Sequence, residues 1–255
     1  MPSDEEYNPE FHKILSGVES WHFWFRTRRA RLLKELKRRL RHSDRFLEVG
    51  CGTGNLTSYL AIKGFLALGC DLFPCAFWKG NPRPLIIGAD AVSLPFADDS
   101  FDGVGFFDIL EHLDNPDRAL SEARRVLRPG GFVFITVPAS RALWSAVDSV
   151  AGHRKRYSAK EARELLEDNN FLVRKVSHMF LGLFLPIYLA SKRPSYNTLD
   201  AQVSVGKFAN SIASLFFYLE DVILDFINWP FGTTVLAVGQ KPGGAIRETA
   251  GTGKD

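Results

Sequence analysis

The 255-residue sequence has few cysteines, little net charge and no long uncharged apolar run. Its three cysteines, Cys51, Cys70 and Cys75, lack the paired spacing of a metal-ligand set, and an odd number argues against a disulfide framework. We therefore expect reduced thiols and no metal site. The formal net charge of +3 is not the strong imbalance expected of a protein devoted to nucleic acid.

The apolar segments are also too short to cross a membrane. No uncharged apolar run approaches the roughly 20 residues that a spanning helix needs. The opening sequence, MPSDEEYNPE, is acidic and has no apolar segment of a secretory signal. These features predict a cytoplasmic protein. With 45% hydrophobic residues, the chain can build one large α/β domain with additions.

A short apolar run that ends in a glycine-rich turn, Phe46 to Gly54 (FLEVGCGTG), is the most informative stretch. Glycine reaches positive φ without a steric clash and lets a ligand lie against bare backbone. The helix-compatible segment that follows offers unpaired N–H donors. By itself such a turn is as typical of a purely structural connection as of a ligand site. Asp71 ends the next strand-like run about 20 residues later, where α/β folds place an acid for ribose hydroxyls.

Strand-like and helix-like segments alternate along the chain, which predicts parallel strands joined by right-handed crossovers. The predicted strands are the apolar run that begins at Phe46, then 65–71, 85–88, 101–109, 132–137, 171–177 and 233–239. The predicted helices include 56–63, 74–79, 116–127, 141–150 and 158–169, and the glycines at 130 and 131 are expected to separate the third of these helices from the next strand. Residues 21–41 predict an amphipathic helix whose leucines dock and whose basic face is solvated. That face could alternatively contact anionic lipid or nucleic acid.

Four ordered segments together resemble the class I S-adenosylmethionine-dependent methyltransferases, in the small-molecule branch with a type 11 methyltransferase domain. They are FLEVGCGTG, CDLF, ADAVSLPFADDSFDGVGFFDILEHL and ALSEARRVLRPGGFVFITVP. The resemblance implies a Rossmann-like, doubly wound seven-stranded sheet whose last strand is antiparallel. We expect an N-terminal helical extension over 1–42 and a methyltransferase domain over 43–241. A helical insert at about 179–230 and a disordered tail over 242–255 complete the expected organisation.

The resemblance also implies where S-adenosylmethionine binds. The glycine turn and Glu48 would line its methionine and ribose side, Asp71 would accept from the ribose hydroxyls, and Asp90 would face the adenine. The full implied set is Glu48, Gly50, Cys51, Gly52, Gly54, Asn55, Asp71, Leu72, Asp90, Ala91, Phe107 and Asp108, the last two beside the sulfonium. A hydride-transfer interpretation fits less well, because the glycine spacing is GxGxG and not GxGxxG.

Candidate catalytic residues follow from the chemistry. Methyl transfer from a sulfonium needs alignment in a site with little water, and an oxygen or nitrogen acceptor also needs a base. His112 follows the fourth strand, while His153 and Tyr157 lie in the loop GHRKRY after the fifth. The alternatives are a loop histidine bonded to backbone, and a solvated basic loop that contacts an anion.

The apolar insert bears on the acceptor. Its apolar residues recur at helical spacing, which fits helices that cover the sheet edge or form a homodimer contact. It equally fits a hydrophobic acceptor pocket, or peripheral docking at a membrane surface to reach a lipid-linked acceptor.

We expect methylation of an O, N or C nucleophile of a small, hydrophobic or lipid-linked molecule, in small-molecule biosynthesis and without a nucleic-acid partner. A cofactor-binding regulatory protein without transferase activity and an RNA methyltransferase are the alternatives.

Overall fold

Seven strands form a mixed sheet with the order β3-β2-β1-β4-β5-β7-β6. The computed structural model describes residues 16–73, 85–191, 205–223, 226–227 and 229–243. The strands are β1 Arg45–Val49, β2 Leu66–Asp71, β3 Leu85–Gly88, β4 Phe101–Phe107, β5 Leu127–Pro138, β6 Leu172–Met179 and β7 Thr234–Gln240. Strand β7 is antiparallel to both of its neighbours, and the pairs from β3 to β5 are parallel. The expected sheet with an antiparallel last strand is confirmed.

Helices connect and flank these strands. They are α1 Phe23–Lys37, α2 Asn55–Ile62, α3 Pro116–Val126, α4 Ala146–Val150, α5 Ala159–Asp168, α6 Phe184–Ala190 and α7 Lys207–Ile223. Helices α6 and α7 lie in the expected insert, before β7. The helix predicted over 74–79 and the tail beyond 243 lie outside the described residues. Within the described ranges, no helix combines the length and the apolar character that a membrane span requires.

Strand β1 explains how the core divides between the two faces of the sheet. Successive side chains of a strand point to opposite faces. Leu47 and Val49 therefore join the buried apolar cluster that includes Leu120 of α3, whereas Phe46 joins the cluster that includes Leu36 of α1. Glu48 shares its face with Phe46, so its carboxylate lies under α1.

The basic face of α1 is only partly solvated, in contrast to our expectation, because Arg26, Lys37 and Arg38 are exposed but other cations are buried. Arg31 is only 1% exposed. Its guanidinium pairs with the fully buried carboxylate of Glu35 at 3.4 Å and with Asp221 of α7 at 2.9 Å. Glu35 also pairs with Arg39 at 2.6 Å and with Lys175 of β6 at 2.7 Å. Carboxylates on α1 itself and on α7 hold these cations inside the protein, whereas the leucines of α1 dock as expected.

Helix α7 packs against the start of α1. The ring of Phe217 stacks on that of Phe23 with centroids 5.3 Å apart. Asn210 accepts a hydrogen bond from the Phe23 N–H at 2.7 Å and donates one to the Trp21 carbonyl at 3.0 Å. The insert is therefore joined to the N-terminal helix at the end where that helix begins.

Candidate active site

The glycine turn connects β1 to α2 and has an unusual backbone conformation. Gly50, Gly52 and Gly54 have φ values of 70°, 51° and 72°, which other residues rarely adopt. The N–H groups of Gly50 and Cys51 donate to the Cys70 carbonyl at 2.8 and 3.0 Å, which fixes the turn to the end of β2. A Cβ at Gly52 would meet nothing within 4 Å. The turn thus presents open backbone at Gly52.

Acidic side chains lie at the carboxyl ends of β2 and β3. Asp71 accepts hydrogen bonds from the N–H of Gly52 at 2.8 Å and from that of Phe73 at 2.9 Å. Asp90 is exposed and accepts from the Val92 N–H at 3.0 Å. An ionised carboxylate has about four acceptor positions, so both side chains retain capacity for a ligand. Leu72 is 43% exposed beside Asp71, and Ala91 is half-buried.

Glu48 lies below the turn and is 5% exposed. Its carboxylate accepts a hydrogen bond from the Thr57 hydroxyl. Burial raises the pKa of Glu48 to about 7, and the charge of Glu19 acts in the same direction. The Thr57 hydrogen bond and the charge of Arg28 act in the opposite direction. Glu48 is therefore partly protonated near neutral pH.

The N-terminal segment contacts the turn, the helix after it and the end of β4 through three side chains that the sequence did not single out. The Thr53 hydroxyl donates to the Glu19 carboxylate at 2.5 Å. The Arg29 guanidinium donates to the Asn55 side chain. Arg28 forms an ion pair with Asp108 at 2.6 Å. The partners in each pair lie far apart in the sequence, and no local pattern reveals such pairs.

Arg28 fills the space between α1 and the end of β4. Its guanidinium lies 5.2 Å from the centroid of the Trp24 ring and 5.9 Å from that of Phe107. Such stacking suits a planar guanidinium and stabilises its charge. Asp108, which has a φ of 57°, holds this cation where the strand ends. That φ also explains why β4 stops at Phe107 and not at Ile109 as predicted.

The two predicted histidines lie together beyond β4 and β5. The rings of His112 and His153 have centroids 4.8 Å apart at an angle of 79°. Burial lowers the pKa of His112 to about 4, and the charge of His153 adds to this effect. His112 is therefore neutral at pH 7.

Asp148 orients His153. Its carboxylate lies 2.8 Å from Nδ1 of His153 and 2.8 Å from Nε of Arg156. Burial alone would raise the pKa of Asp148, but the hydrogen bonds from His153 and Arg156 outweigh it and hold that pKa well below its usual range. An ionised Asp148 fixes the proton of His153 on Nδ1 and, in the neutral ring, leaves Nε2 unprotonated. Sequence reasoning missed Asp148 and Arg156.

Glu111 lies beside both histidines and was also missed. It is 1% exposed, and neither carboxylate oxygen has a hydrogen-bond partner among the residues that the structure describes. Burial, and then the charge of Asp108, raise its pKa well above the usual range. One donor atom each of Glu111, His112 and His153 lie within 4.8 Å of one another.

Tyr157 does not fit the catalytic role expected from the sequence, which is a correction. The side chain is 2% exposed, and its hydroxyl donates to the Leu110 carbonyl at 3.3 Å. Burial, and then the charge of Glu111, raise its pKa. The backbone of Tyr157 also bridges to Ala139 after β5. Tyr157 therefore anchors the histidine loop to the sheet.

The remaining expected residues occupy packing positions around the site. Cys51 is buried, and burial followed by the charge of Glu48 raises the pKa of its thiol. Phe107 is buried against Phe46, with ring centroids 6.3 Å apart. The expected cofactor residues thus collect around the carboxyl ends of β1 to β4, and the histidines lie beyond β4 and β5.

Known proteins match this chain in both sequence and fold. A family model described as a methyltransferase domain matches residues 21–176. A probable S-adenosylmethionine-dependent methyltransferase of Mycolicibacterium smegmatis is 30% identical over 175 residues, which are 67% of each chain. A demethylmenaquinone methyltransferase of Clavibacter sepedonicus is 35% identical over 98 residues, which are 36% of this chain and 40% of that protein.

Solved structures share the fold. One is a Haemonchus contortus phosphoethanolamine N-methyltransferase 2 in complex with S-adenosyl-L-methionine. It has a TM-score of 0.55 and 22% identity, over 82% of this chain and 52% of that one. Another is a chain of the complex between the Haloferax volcanii Trm112 methyltransferase activator and the putative methyltransferase. It has a TM-score of 0.59 and 20% identity, over 91% and 95% of the two chains.

Proposed function

Because the chain belongs to the methyltransferase-domain family and is an S-adenosylmethionine-dependent methyltransferase, we propose that it methylates a small, hydrophobic or lipid-linked acceptor. The acceptor atom is an oxygen, nitrogen or carbon nucleophile. The exposed apolar surface of α6 and α7, which adjoins the N-terminal part of the site, is the observation that carries this proposal.

The proposed cofactor position follows the carboxyl ends of β1 to β4. The open backbone at Gly52 suits the methionine and ribose part, and the spare acceptor capacity of Asp71 suits the ribose hydroxyls. The exposed carboxylate of Asp90 suits the adenine side. Asp108, at the end of β4, would then lie near the sulfonium, with Arg28 as its partner.

In the transfer step, an electron pair of the acceptor forms a bond to the methyl carbon while the carbon–sulfur bond breaks. The broken bond's pair returns to sulfur, so that the sulfonium becomes a thioether. An oxygen or nitrogen acceptor also loses a proton, which passes to a histidine nitrogen or to water. We propose that His112 and His153 act at the acceptor end, because they lie together beyond β4 and β5 and Asp148 occupies Nδ1 of His153, which leaves Nε2 for an acceptor.

The acceptor class rests on what we call the apolar insert face. It comprises exposed large apolar side chains of the insert: Leu185, Tyr188, Leu189, Phe208, Ile212, Leu215, Phe216, Tyr218, Leu219, Val222 and Ile223. Phe208 is 81% exposed. Exposed apolar patches of this kind mark binding surfaces for apolar molecules, proteins or membranes. Asn210 on the docked side of α7 binds the backbone of Trp21 and Phe23, which places α7, the helix that carries most of this face, beside the segment that contacts the glycine turn.

The arginines of α1 count against an RNA acceptor. Arg28 pairs with Asp108, Arg31 with Asp221, and Arg39 with Glu35. A guanidinium that is already paired inside the protein offers little to a phosphate backbone. These three arginines of the basic helix that suggested nucleic acid are used to hold the fold together.

The test is transfer of a labelled methyl group from S-adenosylmethionine to three acceptor pools: an organic lipid extract, water-soluble small metabolites, and total RNA. We expect label in the lipid extract, with none in RNA. Label confined to RNA or to the water-soluble pool would contradict the proposed acceptor class. The Asp71→Ala variant serves as a cofactor-deficient background.

A second comparison tests the apolar insert face itself. The variant Phe208→Ser with Leu215→Ser should raise the KM for an apolar acceptor while the affinity for S-adenosylmethionine stays the same. Leu172→Ser is the matched control, because Leu172 is 47% exposed on the edge strand β6. Equal KM values in the wild type and both variants would argue against this face as the acceptor surface.

A further inference from the structure

We propose that Glu111, His112 and His153 bind a divalent transition-metal cation such as Zn²⁺ or Mn²⁺. The three residues supply one carboxylate and two imidazoles, the donor set that such ions accept in sites with positions open for a further ligand. Their donor atoms lie within 4.8 Å of one another beyond the carboxyl ends of β4 and β5. The sequence predicted no metal site, because the cysteines lack a metal-ligand pattern.

Glu111 is the first reason for this proposal. A buried polar atom without a hydrogen-bond partner is rare in folded proteins, and here both oxygens of one carboxylate lack a partner within the described part of the chain. The nearby guanidinium groups are engaged elsewhere, since Arg28 pairs with Asp108 and Arg156 with Asp148. A divalent cation would satisfy the carboxylate of Glu111 and compensate its burial.

The orientation of His153 is the second reason. Asp148 holds Nδ1 of His153 at 2.8 Å, so Nε2 is the nitrogen left for a ligand bond. Metal-binding histidines are characteristically held in this way by a carboxylate on the other ring nitrogen. Asp148 is itself fixed by Arg156 and by the N–H of Ser145, both at 2.8 Å. The orienting residue is thus held in place before any ion binds.

The geometry requires only a small adjustment. Ligand atoms about 2.1 Å from one tetrahedral ion are separated by about 3.4 Å, against the 4.8 Å limit found here. Side-chain rotations that move each atom by about an ångström close this difference. The His153 side chain is 19% exposed, which gives an ion a path from solvent.

The cation has a chemical consequence, which rests on the proposed function. A bound cation lowers the pKa of an oxygen that coordinates it, so an acceptor hydroxyl in an open position would lose its proton more readily. The site therefore favours an oxygen acceptor over a carbon one. With the ion bound, Nε2 of His153 would be a ligand in place of the base considered above, and the acceptor's proton would pass to water.

The experiment measures cation binding alone, with untagged full-length protein that has been stripped with a chelator. Titration with Co²⁺, followed by its visible absorption, and calorimetric titration with Zn²⁺ and Mn²⁺ should each give one site per chain. Glu111→Gln and His153→Ala should each weaken binding by at least tenfold, and Asp148→Asn by about 10- to 100-fold. His42→Gln is the matched control, because it removes an exposed imidazole that precedes β1 and therefore lies at the amino ends of the strands.

Each outcome decides the proposal. No binding by any of the three ions, or binding that neither Glu111→Gln nor His153→Ala weakens, would overturn it. If Glu111→Gln fails to fold by circular dichroism, the partly exposed His153 still provides the test. Cation binding with no methyl transfer to any acceptor would overturn the proposed function and leave the site in place.

Discussion

Glu48 provides the sharpest test of the electrostatics under the glycine turn. The carboxylate is 5% exposed, and Thr57, Arg28 and Glu19 are the groups that act on it. We predict that the substitution Glu48→Gln removes part of the pH dependence of the free energy of unfolding. The glutamine side chain would keep an acceptor oxygen for the Thr57 hydroxyl, so the change removes mainly the charge.

The direction in which Glu48 changes stability with pH follows from its pKa in the folded state and its ordinary pKa. The pKa is about 7 in the folded protein and 4.5 as the ordinary value, so the folded state binds the proton more tightly. The stability that this tighter proton binding gives to the folded state is fully present below pH 4.5 and is lost as the pH rises through 7. The pKa difference corresponds to roughly 3 kcal/mol at most, of which about 2 kcal/mol falls between pH 5.5 and pH 8.

The assay is urea unfolding of the wild type and of Glu48→Gln at pH 5.5 and at pH 8. Glu19 and Glu111 also have raised pKa values and act in the same direction, but they are common to both proteins. The difference between the two pH dependences therefore reports Glu48 together with its coupling to Glu19. Glu164→Gln, which changes a half-exposed carboxylate on α5, should behave as wild type. If Glu48→Gln loses as much stability over this interval as the wild type, the carboxylate ionises normally and the reasoning is wrong.

Three further substitutions test other parts of the structure. Asp71→Ala should weaken binding of S-adenosylmethionine at least tenfold, measured by calorimetry, while the far-ultraviolet circular dichroism is unchanged; unaltered affinity would refute the ribose assignment. Glu35→Ala should lower the free energy of unfolding by about 3 kcal/mol, because it removes the fully buried carboxylate that pairs with the partly buried Lys175, and a loss below about 1 kcal/mol would contradict this. Tyr157→Phe should cost about 1 kcal/mol for the lost hydrogen bond to Leu110 and change turnover less than twofold, and a tenfold loss of turnover would restore its catalytic role.

The sheet was largely predictable from the sequence because its signals are local. A glycine turn must reach positive φ, and the alternation of apolar runs with helical periods requires parallel strands. The differences also have local causes. Strand β5 begins at Leu127 directly after α3, ahead of the glycines at 130 and 131 that were expected to separate the two elements. Residues 141–150 form a 3₁₀ turn and the short helix α4 in place of one helix.

The buried charges were not predictable, because their partners lie far away in sequence. Arg31 finds Asp221 across 190 positions, and Lys175 reaches Glu35 across 140. The sequence of a basic helix, without its partners, predicts that the charged side chains are exposed to solvent. Glu111 was missed for the opposite reason, since it adjoins His112 in the motif and yet its significance depends on having no partner within the described residues, which only the fold reveals.

The paired charges of α1 also determine how the donor and acceptor sides of the site can move. Arg28 joins this helix to Asp108 at the end of β4, and Arg31 joins it to Asp221 on α7. Separating α1 from either neighbour would break one of these ion pairs, and a charge that stayed buried without its partner would be costly. Helix α7, which carries the apolar insert face, is therefore tied through α1 to the strand end proposed for the sulfonium. Any movement that admits an acceptor must either carry α1 and α7 together or leave both in place and open the site on the side of His153.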